Sequence, residues 1–329
     1  MIEELRQRLE ELAKVYPTLL SRRCYSMLDV DSQVLSHIPK RAAGSKLVQL
    51  WAKYTLTGSD AGALAEVIRT VFDAAYPKQV WRAMGTWFET REAKVKVPVV
   101  SKVKALFDAK GGVTPDVSTP PRYVEIDNDL DADGRRIRAR VLWDVSFLNA
   151  SNWQVVEAYT RSVGEAIMVK ATEYVHQLYS SLSASEIAAE LTYTPPLRVD
   201  HLIDLRSAID GEDLTPSSTA YRAFLHPATY NQLLKDDKFV NSLVFGETLD
   251  KTTGLQSRTT LGIDFHTTSV VPRGEVLLIN PERSLVGAVY QNLIVEVVEP
   301  STTLSGIDAY MHIAAKVLEP KAVARLRAA

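Results

Sequence analysis

The spacing of apolar residues divides the chain into a helical first part and a mixed remainder. Ile2, Leu5, Leu9, Leu12 and Val15 recur every three to four positions, which predicts an amphipathic helix whose stripe packs within the chain or against a neighbour's copy. Ser59 and Asp60 cap a second predicted helix with an apolar face through Leu64, Ile68 and Phe72 and a stop at Pro77. A further helix carrying Trp81, Met84 and Trp87 is expected next, and aromatics at this spacing read as core. The period then changes to two. In "KVKVPVV", Lys94 and Lys96 alternate with Val95 and Val97. In "RRIRARVLW", Arg136, Arg138 and Arg140 alternate with Ile137, Ala139, Val141 and Trp143. Each run predicts a strand with one apolar and one cationic face. Between them, "DAKGGVTPDVSTPPRY" is rich in Gly, Pro, Ser and Thr and predicts a long excursion that leaves the body and returns.

The strongest single element follows. Ser151-Asn152-Trp153-Gln154 reads as a capping box, and it opens the series Trp153, Val156, Tyr159, Val163, Ile167, Ala171, Tyr174, Leu178 and Leu182. Such a run predicts one helix over about 152–182, a one-faced spine laid across another layer. Beyond Pro195 the signals mix. A helix is expected near Asp200 to Ile209, a strand near Ala223 and a short helix at Pro227. Further strands are expected at "LGIDF", "EVLLIN", "LVGAVY", "NLIVEVV" and "DAYMHIAAKVLEP". The fold class is therefore α+β.

Composition narrows the function more by exclusion than by assertion. With 38 Lys plus Arg against 40 Asp plus Glu, the chain has no global basic field to gather nucleic acid. The single cysteine, Cys24, has no partner for a disulfide or a zinc cluster. The segment "MIEELRQRLEELAKVY" is charged throughout and no apolar run nears ~20 residues, so neither a signal peptide nor a membrane span is expected. The six histidines are scattered, without His-x-x-x-His or His-Glu spacing. His226 stands before Pro227, the position of a helix N-cap rather than of a catalytic base. "DLDADG", Asp129 to Gly134, begins like a calcium loop, but its twelfth position is Arg140, where a bidentate carboxylate is required, so it reads as an acidic turn between strands. No Gly-x-Ser-x-Gly elbow or phosphate-binding glycine loop occurs. No catalytic, cofactor or metal residues are therefore assigned. The arginine row Arg136, Arg138, Arg140 fits either an acidic neighbour or a solvated strand face.

The order of these parts carries more than any motif. From about Val95 the excursion ending in "RRIRARVLWDVSFL", the spine "SNWQVVEAYTRSVGEAIMVKATEYVHQLY", then "LIDLRSAID", "AFLHPATYNQLLKDDKF", "TTLGIDFHTTSVVPRGEVLLINP" and "AYMHIAAKVLEPKAVARL" resemble the major capsid proteins of tailed double-stranded DNA viruses, with the Hong Kong 97 fold. The encapsulin shell proteins are their cellular relatives. The resemblance implies an extended loop over 94–144, a peripheral domain over 145–189 and 301–329 built on the spine helix, and an axial domain over 190–300, after a helical arm or subdomain over 1–93. It implies a non-enzymatic subunit that assembles with itself through pentamers and hexamers into an icosahedral shell. Scaffold, portal or decoration proteins and packaged DNA are the implied partners, and the implied place is a virion capsid made in the host cytoplasm. The alternative is a nanocompartment shell around a cargo enzyme. In this reading the arginine row, on the returning limb of the loop, is expected to make intersubunit contacts. Lys102, Lys104 and Lys110 lie in the loop, but no crosslinking partner is identified for them.

Overall fold

The computed structural model describes residues 46–54, 60–99, 122–150, 153–217, 219–240, 259–260 and 262–329. The predicted N-terminal helix, Cys24, His37, Ser59, the capping-box residues Ser151 and Asn152, and the three loop lysines lie outside them. The described elements are helical and extended in comparable amounts, and the chain divides into two compact units. The first comprises Met1–Ala74, Ala139–Gly164 and Ile294–Ala309, and the second comprises Ala75–Arg138, Glu165–Leu293 and Tyr310–Ala329.

In the first unit, helix Lys46–Tyr54, for which the sequence reading named no element, and helix Asp60–Ala75, which it expected, each bury an apolar face. Leu47, Val48 and Trp51 are enclosed on one, and Leu64, Val67, Ile68 and Val71 on the other. Leu47 is further tied by its backbone N–H, which donates to the Ser305 hydroxyl at 3.3 Å. Leu148 of the short helix Val145–Ala150 and Val156 and Val163 of the spine helix are also enclosed. The spine helix runs from Trp153 to Ser180 without a break. At Gly164 it passes so close to the helix Asp60–Ala75 that a Cβ would stand 2.2 Å from the Val71 carbonyl oxygen. Only a residue without a side chain permits that approach.

The second unit begins with 3-10 turns at Tyr76–Lys78 and Val80–Met84 and strand β1, Thr86–Glu89. Here the expected helix through Trp81, Met84 and Trp87 is corrected. Trp87 belongs to β1, which pairs in parallel with β10, Leu285–Ser301, and this pairing takes the segment out of helical geometry. Trp81 and Trp87 still meet, edge to face at 4.5 Å. Strands β2, Lys94–Val99, and β3, Arg122–Asp127, form an antiparallel ladder. The cationic face predicted for β2 is answered across it, with Lys94 Nζ 2.7 Å from Asp127. The acidic turn leads into β4, Gly134–Asp144, as expected.

A four-stranded sheet has the order β1-β10-β11-β4, where β11 is Leu304–Val317. "LVGAVY" and "NLIVEVV" are not two strands but the single β10. The polar pair Gln291-Asn292 makes no turn, because the Asn292 side chain donates to Glu89 at 2.8 Å and accepts from Arg82 at 3.1 Å. A six-stranded sheet has the order β5-β12-β9-β6-β8-β7. Its members are β5 (Ala189–Tyr193), β6 (Tyr221–Leu225), β7 (Thr259–Thr260), β8 (Ile263–Thr267), β9 (Glu275–Ile279) and β12 (Val323–Ala328). Helix Val199–Gly211 covers one face, with Leu202, Leu205 and Ile209 enclosed against Tyr221, Ala223 and Leu326. Phe239 and Phe265 extend the same core edge to face. Strand β12 has no counterpart in the sequence reading, yet it is central: it pairs in parallel with β5 and antiparallel with β9.

The close passage at Gly164 yields a test. Gly164→Val is expected to lower the unfolding free energy by about 1–3 kcal/mol, the usual cost of overpacking. Gly211→Ala, whose new methyl would meet nothing within 4 Å, is expected to leave it unchanged or higher. Urea denaturation of the unassembled chain measures both.

Candidate assembly surface

Several of the described histidines and carboxylates have structural partners. His226 caps the helix Pro227–Leu233 as predicted, its Nδ1 accepting from the Ala228 N–H at 3.0 Å. His201 Nδ1 accepts from the Arg198 N–H at 3.1 Å, and the His266 ring stacks on Phe224 at 5.2 Å. The turn carboxylates serve their own backbone: Asp127 accepts from the Asp129 N–H at 3.0 Å, Asp129 from Asp131 at 3.2 Å, and Asp133 from Asp127 at 3.1 Å. These are turn-stabilising bonds, as the acidic-turn reading requires. Among the described residues no group of three or more His, Cys, Asp or Glu is placed to hold a metal ion. A cleft of about 380 Å³ opens beside Pro196, Lys235 and Lys238, but Lys238 is paired with Asp200 at 2.8 Å and Asp236 accepts from the Val199 N–H.

The surface of β4 shows the expected alternation. Ile137 and Trp143 are buried, while Arg136, Arg138 and Arg140 are exposed along the other face. The three arginines have different surroundings. Arg140 is bonded within its own unit to Asp308, with Nε at 3.2 Å and the terminal nitrogen at 3.0 Å from the same carboxylate oxygen. Asp308 is 2% exposed, so this guanidinium neutralises a carboxylate that the fold encloses. Arg136 lies over the Tyr310 ring at 4.8 Å, an arrangement that stabilises by cation–π attraction and leaves the edge of the guanidinium to solvent. Arg138 stands between them, exposed.

The sequence reading missed a second feature. Tyr159, counted with the buried stripe of the spine helix, is 50% exposed, and Val155 one turn earlier is also exposed. Leu142 and Phe147 are exposed in the same unit, and Trp143 touches Tyr159 edge to face at 6.4 Å. In the second unit Tyr123 and Leu130, on β3 and the acidic turn, are each more than half exposed. Large exposed apolar side chains are the natural candidates for contact surfaces. The signal was present in the adjacent pair Val155-Val156, which widens the apolar arc beyond what one buried face can absorb.

No known family model matches the chain, and no curated protein matches it. Solved structures do. A chain of the capsid of the cyanophage P-SCSP1u has a TM-score of 0.56 at 13% identity, over 75% of this chain and 86% of that one. The mature capsid of bacteriophage PhiM1 gives 0.54 at 12% identity, with the same two coverages. A virus-like particle from Pyrococcus furiosus gives 0.52 at 13% identity, over 80% of this chain and 98% of that one. At these identities the likeness is one of fold. The chain has the mixed α+β, Hong Kong 97-type fold expected from its sequence.

Arg140 and Arg136 are expected to behave differently on substitution. Arg140→Ser strands the Asp308 carboxylate and is expected to cost about 1–3 kcal/mol, partly recovered by adding Asp308→Asn. Arg136→Ser is expected to cost under about 1 kcal/mol. Thermal and urea unfolding of the three variants check that order.

Proposed function

We propose that this chain is a structural shell subunit, a major capsid protein that assembles with itself through pentamers and hexamers into an icosahedral capsid around a double-stranded DNA genome. The observation that carries the reading is the fold likeness to capsid chains over most of both lengths. The exposed apolar groups of both units support it, because a closed shell is built from many modest, repeated contacts rather than one large one. In this reading the chain is not an enzyme and has no cofactor. Its work is positional, and it resides in the virion capsid after synthesis in the host cytoplasm. Scaffold, portal or decoration proteins are the further partners. Packaged DNA is held without sequence recognition, consistent with a nearly balanced charge of 38 cationic against 40 anionic side chains.

Arg136 and Arg138 make intersubunit contacts in this account, whereas Arg140 serves chiefly to neutralise Asp308. A second reading, a nanocompartment shell around a cargo enzyme, draws on the likeness to the virus-like particle, 98% of whose chain is covered.

Three experiments test these statements. Expressed alone, the protein is expected to give closed shells, pentamers or hexamers by size-exclusion chromatography and negative-stain microscopy; monomers at all concentrations and salts would overturn the shell reading. The contents of shells recovered from the native source separate the two readings, nucleic acid favouring the capsid and a single co-purifying enzyme the compartment. The Arg136→Ser/Arg138→Ser double variant is expected to reduce the yield of assembled particles several-fold while its unfolding midpoint stays near that of the parent, and an unchanged yield removes these residues from the interface.

A further inference from the structure

The spine helix carries a buried histidine one turn before its C-terminal end. His176 Nε2 lies 3.3 Å from Glu275 Oε1 on β9, and Nδ1 lies 3.3 Å from the Ser180 hydroxyl one turn on. From Glu275 the charges continue across the sheet. Its other oxygen is 3.4 Å from Arg327 Nε on β12, Arg327 is 2.8 Å from Glu190 on β5, and Glu190 is 3.2 Å from Arg325 on β12. Arg325, only 4% exposed, closes the circuit by donating to the carbonyls of Ser180 and Leu182 at 3.4 and 3.1 Å, where the helix ends. All these residues belong to one unit.

The circuit balances two carboxylates against two guanidiniums, with His176 at its helical end. His176 keeps both bonds in either charge state, because the Ser180 hydroxyl can donate to Nδ1 or accept from it. Glu275 has no such freedom. Burial works against its charge, but the His176 bond and the charges of His176, Arg327 and Arg325 outweigh burial and hold the carboxyl below its usual range. A carboxyl held low in the folded state stabilises fully above its unfolded pKa, about 4.3, and that contribution is lost as pH falls through the lower folded value. Once Glu275 is protonated, the enclosed Arg325 and the half-exposed Arg327 face one carboxylate, Glu190, between them.

We propose that this circuit is an acid-released clasp: with Glu275 ionised it fastens the end of the spine helix to β9, β12 and β5, and protonation of Glu275 frees that end and loosens β12. The device concerns the single subunit and stands apart from the shell reading.

Hydrogen exchange on the full, unassembled chain from pH 7 to pH 3, corrected for intrinsic rates, tests it. In the parent protein, protection of amides in 323–328 is expected to fall roughly tenfold more between pH 5 and pH 3 than protection in helix Val199–Gly211. Glu275→Gln is expected to show that loss already at pH 7, with little further pH dependence. Should that variant not fold, His176→Gln keeps a hydrogen-bonding side chain without a titratable charge, and the midpoint of the loss is expected to move to higher pH. Equal loss in β12 and in helix Val199–Gly211, or a His176→Gln profile superimposable on the parent's, would overturn the clasp.

Discussion

A single helix of 28 residues, about 42 Å long at ~1.5 Å per residue, is the constraint on which the rest of the structure depends. No one small core can cover it. Its enclosed residues keep one stripe through Val156, Thr160, Val163, Ile167, Ala171, Val175 and Tyr179, and those up to Gly164 belong to one unit and those from Glu165 to the other. Val156 and Val163 serve the first core. Further on, Met168, Ala171, Val175 and Tyr179 are all enclosed, and the Trp81 indole donates to the Met168 sulfur at 3.4 Å. Tyr179 is fixed through its hydroxyl, which donates to the Met84 carbonyl and exchanges a bond with Ser284 at 3.0 Å. Burial pushes that phenol well above its ordinary pKa, which favours the neutral, donating form.

What the sequence disclosed follows from how local each signal is. The spine, the alternating β4, the acidic turn and the His226 cap rest on spacing within one element, and each appears within a residue or two of its expected place. Elements decided by partners far along the chain were harder. Trp87 looked helical because its spacing from Trp81 and Met84 is helical, and only the parallel pairing with β10 assigns it to a strand. Strand β12 is six residues long and carries two arginines, so it reads as a polar tail until Glu190 and Glu275 are brought beside it. The candidate surface was legible in part. The arginine row was found by its alternation, but its division into a neutralising Arg140 and outward Arg136 and Arg138 depends on Asp308, more than 160 positions away. Tyr159 was misread because a periodic apolar residue is usually interior, and periodicity alone does not tell a core stripe from a contact stripe.

The treatment of polar groups is consistent across the fold. Histidines cap, stack or pair, turn carboxylates bind backbone N–H groups, and the enclosed Asp308 and Arg325 have opposite charges beside them. Other buried polar atoms, the Tyr193 and Tyr290 hydroxyls among them, have no hydrogen-bond partner among the described residues. Among the described residues several large apolar side chains, Tyr159, Tyr123 and Leu130 among them, are half or more exposed.

The position of β12 constrains the order in which the protein can form. Residues 323–328 lie between β5 and β9 in the six-stranded sheet, so those two strands cannot be joined until the ribosome has delivered the segment that separates them. Residues 189–193 must wait through some 130 further residues of synthesis, on the order of 10 s at usual elongation rates. Everything the first unit requires has been made by Ala309. The six-stranded sheet is therefore closed only once β12 has been made, and until then β5 and β9 each hold an open edge.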